Sequence, residues 1–172
     1  MKHLRATILL SLFLLRPSFN EIQAQWVQTN GPQGGYVNCL TTNSGNLFAG
    51  TNGAGIFTSA DNGTTWRAIN SGLTNLYVRC IAASGANIYA GTSTGIFLSS
   101  NSGANWAEMN SGFPAAGVRS LIATAARIYA GTDTNGIYIS TNNGTSWTAS
   151  NTGLTNKTVW SLATSGTHVY VG

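Results

Sequence analysis

Charged residues are scarce in this 172-residue chain, and two of its arginines stand in register. They occur in Val78-Arg79-Cys80-Ile81 and Val118-Arg119-Ser120-Leu121. Each guanidinium presents a planar fork of donors, so two brought together would hold a carboxylate or another anion. The matching places in the neighbouring segments are Asn38 and Trp160, which limits such a cluster to two cations. A pair of solvated arginines without a ligand is the plainer alternative. Asp133, in Thr132-Asp133-Thr134-Asn135-Gly136, offers one carboxylate to a cation or simply serves a turn. Tyr36, Tyr77, Phe113 and Trp160 lie in or beside inter-strand loops, where aromatics suit a sugar or peptide surface.

Other reactive types are poorly placed for catalysis. Glycoside cleavage ordinarily needs two carboxylates across the scissile bond. Beyond Glu21 the acids are Asp61, Glu108 and Asp133, in a turn phrase, an outer strand and a loop, so no catalytic set is assigned. Cys39 and Cys80 occupy equivalent places that Ser120 and Ser161 fill later, which points to small core residues more than to a disulfide. His168 has no acid or nucleophile beside it in sequence, and there is no C-x-x-C or Cys/His cluster for a metal. No cofactor and no metal are expected.

The elements that position these residues repeat. Ser59-Ala60-Asp61-Asn62-Gly63-Thr64-Thr65-Trp66 returns as Ser99-Ser100-Asn101-Ser102-Gly103-Ala104-Asn105-Trp106 and as Ser140-Thr141-Asn142-Asn143-Gly144-Thr145-Ser146-Trp147, at spacings of 40 and 41. Around each phrase stand four strand-like runs, such as Ile88-Tyr89-Ala90-Gly91, in which both alternating faces are apolar or aromatic. Small sheets buried on both faces and repeated every ~40 residues predict a β-propeller, with a β-solenoid as the rival. The blade units run about 37–70, 78–110 and 118–151, with a partial unit at 159–172. Residues 26–30 read as one further outer strand, since Trp26-Val27-Gln28-Thr29-Asn30 parallels Trp66-Arg67-Ala68-Ile69-Asn70. Three complete blades plus partial ones make an incomplete ring, which predicts either a longer parent or closure by self-association.

The segment 1–24 has the order of a secretory signal peptide: a basic start at Lys2, His3 and Arg5, an apolar run from Ala6 to Leu15, and Ile22-Gln23-Ala24 before the expected cleavage. That run is too short to span a bilayer, for which ~20 apolar residues are needed. The mature propeller, 25–172, is therefore expected outside the cytoplasm without a membrane span. The whole chain carries 8 Lys+Arg against 4 Asp+Glu, but Lys2, Arg5, Arg16 and Glu21 leave with the signal. The few scattered cations that remain form no stripe for phosphates, which argues against nucleic acid as a partner.

The repeated phrase resembles the S-x-D-x-G-x-T-W Asp-box, or BNR repeat, of sialidase-like propellers. Ser59, Asp61, Gly63 and Trp66 match it fully. Ser99, Asn101, Gly103 and Trp106, and then Ser140, Asn142, Gly144 and Trp147, match with Asn in place of Asp. The resemblance implies a turn between third and fourth strands on the rim, away from the ligand face. Asp or Asn bonds its own following backbone there, and Gly accepts a positive φ. The family spans sialidases, endoglucanases, sorting receptors and photosystem assembly factors, so the fold alone selects no activity. The expectation is an all-β exported propeller, non-catalytic, that binds a protein or glycan through its loop face. Its candidate residues are Arg79, Arg119, Trp160, Tyr36, Tyr77 and Asp133. The alternatives are the N-terminal part of a propeller glycoside hydrolase with acids beyond Gly172, and an assembly factor for an extracytoplasmic complex.

Overall fold

A computed structural model describes residues 30–172; the signal-peptide segment and all but Asn30 of the strand expected at 26–30 lie outside the described residues. The described chain is built from fourteen strands and no helix. Strands β1 (Val37–Asn43), β2 (Asn46–Thr51), β3 (Ile56–Ser59) and β4 (Arg67–Ala68) form the first antiparallel sheet. The second comprises β5 (Val78–Ser84), β6 (Asn87–Thr92), β7 (Ile96–Ser99) and β8 (Ala107–Glu108). The third comprises β9 (Val118–Ala123), β10 (Ile128–Thr132), β11 (Ile137–Ser140) and β12 (Thr148–Ala149). A hairpin of β13 (Leu162–Ser165) and β14 (His168–Val171) opens a fourth. Each sheet is a meander in sequence order, the form of a propeller blade. The outer strands are only two residues long and begin after the tryptophan of each turn phrase, not at it.

Burial on both faces of each blade explains the composition of the strands. Ile88 and Ala90 of β6 pack toward the first blade, against Phe48 and Ile69. Tyr89, between them, turns the other way and packs with Ile128 and Ala130 of the third blade. Close approach of neighbouring blades requires a glycine near the end of each second strand. A Cβ on Gly50 would stand 2.6 Å from Val78 Cγ1, and one on Gly91 would stand 2.7 Å from Val118 Cγ1. Gly131 receives Val159 in the same way.

The turn phrases close each blade with a repeated hydrogen-bond set. The Ser59 hydroxyl accepts from Gly63 N at 2.8 Å and donates to Asp61 Oδ1 at 2.8 Å. Asp61 Oδ1 accepts from Thr65 N, and its Oδ2 accepts from the Thr65 hydroxyl at 2.6 Å. Asn62 and Gly63 carry the positive φ values, 56° and 87°, that fold the chain back. Ser99/Asn101/Gly103 and Ser140/Asn142/Gly144 repeat the arrangement with amide oxygens in place of the carboxylate. Trp106 Nε1 then donates to Ile69 O of the preceding blade at 2.6 Å, and Trp147 Nε1 to Met109 O at 2.8 Å. Trp66 bonds within its own turn, to Gly63 O at 3.1 Å.

A second clamp, unread in the sequence, joins residues fourteen apart. Asn70, Asn110 and Asn151 accept through Oδ1 from the backbone N of Ile56, Ile96 and Ile137 at 2.7, 2.9 and 2.7 Å. Each fixes the entry of a third strand. The same asparagine fills the space beside Gly55, Gly95 or Gly136, where any side chain would collide with it.

Candidate functional site

The innermost strands are not regular. The pairing register of β1 with β2 skips between Val37 and Cys39, and that of β5 with β6 skips between Val78 and Cys80. In β9 the shift at Gly131/Thr132 passes over the residue between Val118 and Ser120. The unpaired residues are therefore Asn38, Arg79 and Arg119. A bulge bends the strand and re-aims one side chain. Here it frees the second residue of each inner strand, while the preceding valine stays in the inter-blade core at Val78 and Val118 and is exposed at Val37.

The freed side chains step from blade to blade. Asn38 Nδ2 donates to Val78 O at 2.8 Å. Arg79 Nη1 donates to Asp133 Oδ2 at 3.1 Å, an ion pair between side chains 35% and 25% exposed. The Arg119 guanidinium lies over the Trp160 ring, with Cζ 3.8 Å from its centroid, as a cation–π contact. Asn38, Asn52, Arg79, Arg119 and Trp160 together line an open pocket of about 420 Å³. Arg119 Nε is buried and has no hydrogen-bond partner.

Backbone contacts hold Asp133 toward Arg79. Its N–H donates to Gly117 O at 3.0 Å, and its carbonyl accepts from the Thr158 hydroxyl at 3.0 Å. Gly117 is the floor beneath the pair: a Cβ there would collide with Arg79 Nη1 and stand 2.5 Å from Asp133 Oδ2. With one carboxylate against two guanidiniums, the site keeps a net positive charge. Arg119 carries it, and its aromatic platform is half open to solvent.

Arg79, Arg119, Trp160 and Asp133 thus come together, joined by Asn38 and Asn52. Tyr36 and Tyr77 do not line the pocket. Both are exposed at its outer loops, where the Tyr36 carbonyl accepts from Asn52 N and the Tyr77 carbonyl from Ser93 N. Phe113 departs from the loop-surface expectation: it is buried, with its ring 5.1 Å from Tyr138 and 5.5 Å from Trp147. Asp61 and Glu108 lie outside the pocket, the first in its turn and the second exposed on β8. His168 is exposed at the start of β14.

Cys39 and Cys80 are free thiols. Their sulfurs face Gly50 and Gly91, and burial pushes the Cys39 thiol up to about 11 and the Cys80 thiol higher still. Ser120, at the next equivalent place, accepts from Leu162 N at 3.1 Å. Among the described residues no group of three or more His, Cys, Asp and Glu gathers to hold a metal ion. No described helix is long and apolar enough to cross a membrane.

Sequence reasoning passed over Gly117 and the bulge itself. The available signal was the alignment of Asn38, Arg79, Arg119 and Trp160 at one position of four successive inner strands.

Solved structures of propeller proteins resemble this one. An ancestral GH74 enzyme superposes with a TM-score of 0.67 at 22% identity, over 81% of this chain and 22% of its own. The computationally designed Ika4 protein gives a TM-score of 0.67 at 11% identity, over 84% of this chain and 89% of its own. The extracellular domain of a one-component system from B. thetaiotaomicron gives 0.64 at 18% identity, over 79% of this chain and 20% of its own. The chain thus spans about a fifth of the length of the GH74 enzyme and of the one-component-system domain, and at these identities the likeness is one of fold. No curated protein matches the sequence. The DUF6242 beta propeller domain matches residues 17–126, more than half of the chain. With four-stranded meanders packed blade on blade and that match, the chain belongs to the DUF6242 beta propeller domain family.

Proposed function

We propose that this chain is an exported, non-catalytic binding module whose ligand, a glycan or protein segment bearing an acidic group, docks at the inner-strand pocket. The observation that carries the reading is Arg119: a guanidinium stacked on Trp160 with a buried Nε left unpaired. An acidic group reaching Arg119 would gain charge-assisted hydrogen bonds, while the exposed part of Trp160 offers a face for a sugar ring or side chain. Arg79 is already neutralised by Asp133, so it serves the shape of the site more than its charge. Export is supported by the basic, apolar and small-residue order of 1–24, and by likeness to an extracellular domain. The turn hydrogen bonds at Ser59, Ser99 and Ser140 support placing the chain among Asp-box propellers.

A second reading has a specific observation in its favour. The chain resembles a fifth of a GH74 enzyme's length, so it could be the first part of a hydrolase whose acids lie beyond Gly172. Calorimetric titration with acidic and neutral oligosaccharides and acidic peptides tests the first reading. Binding of an acidic ligand that Arg119→Ala weakens at least tenfold supports it. Equal affinity in Arg119→Ala and the parent overturns it, and turnover of a bound glycan would favour the hydrolase.

A further inference from the structure

Cross-strand partners share a face of a sheet, so the outer part of each blade can be read in rows. In the first blade Phe48 pairs with Thr58, and Thr58 with Arg67. In the second, Tyr89 pairs with Leu98, and Leu98 with Ala107. Phe48 packs in the core shared with the second blade, so Thr58 and Arg67 look toward that blade's turn phrase. Tyr89 and Leu98 pack in the core shared with the third blade. The row facing the third blade is thus apolar throughout and ends in a methyl group. The row facing the second blade turns polar at Thr58 and ends in a guanidinium.

A groove of about 470 Å³ lies where that polar row meets the turn phrase of the second blade. Small-molecule sites span about 300–1,000 Å³. Asn46, Thr58, Trp66 and Arg67 line it from the first blade, and Asn101 and Ser102 from the second. It shares no lining residue with the inner-strand pocket.

The groove holds a cation without a counter-charge. Among the described residues Arg67 makes no ion pair, the one salt bridge being Arg79–Asp133. Asp61, the nearest acid in sequence, spends both carboxylate oxygens on Thr65 and Ser59. On the opposite wall Asn101 accepts through Oδ1 from the Ser99 hydroxyl and from Asn105 N, and its Nδ2 is left to donate. The equivalent Asn142 instead commits its Nδ2 to the Ser146 hydroxyl.

We propose that this rim groove binds a carboxylated saccharide, a hexuronate residue, with its carboxylate on Arg67 and its ring hydroxyls on the amides of Asn46 and Asn101. A guanidinium fork matches a planar carboxylate with two parallel hydrogen bonds. A side-chain amide both donates and accepts, which suits sugar hydroxyls that do the same. An acidic peptide fits less well, because beside Trp66 the apolar lining is only the methyl groups of Ala60 and Ala104, which give no seat to a large apolar side chain. The site stands apart from the ligand proposed for the inner-strand pocket.

Titration of the isotopically labelled chain with trigalacturonate, neutral galactotriose and triglutamate tests it, followed by NMR of side-chain amide and arginine Nε signals. Trigalacturonate should shift the Asn46, Asn101 and Arg67 signals together. Arg67→Ala, at an exposed position, should weaken that binding at least about tenfold, while Arg119→Ala leaves it unchanged. Circular dichroism of each variant, unchanged from the parent, separates loss of binding from loss of fold. No shift of these signals at millimolar trigalacturonate, or equal affinity in Arg67→Ala, overturns the proposal. Binding that only Arg119→Ala weakens places the saccharide in the inner-strand pocket and overturns the rim site alone. Equal binding of galactotriose overturns the role of the carboxylate, and equal binding of triglutamate overturns the choice of a saccharide.

Discussion

Arg79 and Asp133, 54 residues apart in sequence, meet at 3.1 Å across the boundary between the second and third blades, above a glycine that leaves them room. An arginine at a bulge reaches over the junction to the loop of the next blade. At this degree of exposure such a pair contributes about 0.2–1 kcal/mol to stability. Asp133→Asn should therefore lower the melting temperature only slightly. It should also strengthen binding of an acidic probe, since it removes the one carboxylate that neutralises Arg79. Gly117→Ala should separate the two side chains from below. If it acts through the ion pair, adding it to Asp133→Asn should cost less than the sum of the two, as measured in a thermal double-mutant cycle.

Trp106 and Trp66 share a place in the turn phrase, yet only Trp106 bonds a carbonyl of the preceding blade, Ile69 O. Replacing Trp106 by Phe would leave Ile69 O without that donor in a nearly dry junction. The expected cost is about 1–3 kcal/mol beyond the loss of ring area. Trp66→Phe breaks only a bond inside its own part-exposed turn and should cost less than about 1 kcal/mol. Denaturant unfolding of the two variants gives the comparison. Equal losses would mean that the inter-blade bond contributes nothing beyond the ring itself.

The thiols give a third check. Burial holds Cys39 up to about 11 and Cys80 above that, so at pH 8 only about 0.1% of Cys39 is thiolate, the form that reacts. An aromatic disulfide reagent at pH 8 should label neither cysteine in the folded chain and both in guanidinium chloride. Rapid labelling of the folded chain would show that the Gly50 and Gly91 seats open to solvent.

Much of the fold can be read in the sequence because blade packing imposes a double constraint. Ile88, Tyr89 and Ala90 are all apolar only because each faces a neighbouring blade on one side or the other. Glycines such as Gly91 recur because a neighbouring valine occupies the space of their side chain. The site is half legible for a different reason. Arg79 and Arg119 stand out through repeat position, but a bulge adds a residue without changing composition, so nothing local says that they leave the sheet. Asp133 finds its partner through the third dimension, not through spacing. Phe113 looks like a loop aromatic until Trp147 and Tyr138 are seen to enclose it.

The three turn phrases differ in one atom set, and that difference should appear as pH dependence. Asp61 is held down to about 2, mainly by the hydroxyl and backbone N–H of Thr65 and then by the Ser59 hydroxyl, all of which favour the charged form. A depressed carboxylate contributes stability that is fully present above its unfolded value, 3.8, and is lost as pH falls through about 2. Asn101 and Asn142 hold the same backbone groups with neutral amides and have no such dependence. The first blade should therefore loosen selectively on acidification from pH 4 to pH 2, while the second and third turns keep their bonds. Hydrogen exchange at Thr65 N and Gly63 N should accelerate over that range relative to Asn105 N and Gly103 N, after correction for intrinsic rates. In Asp61→Asn the difference between blades should vanish. If the Asn variant keeps the same acid-induced loosening, protonation of Asp61 is not its cause.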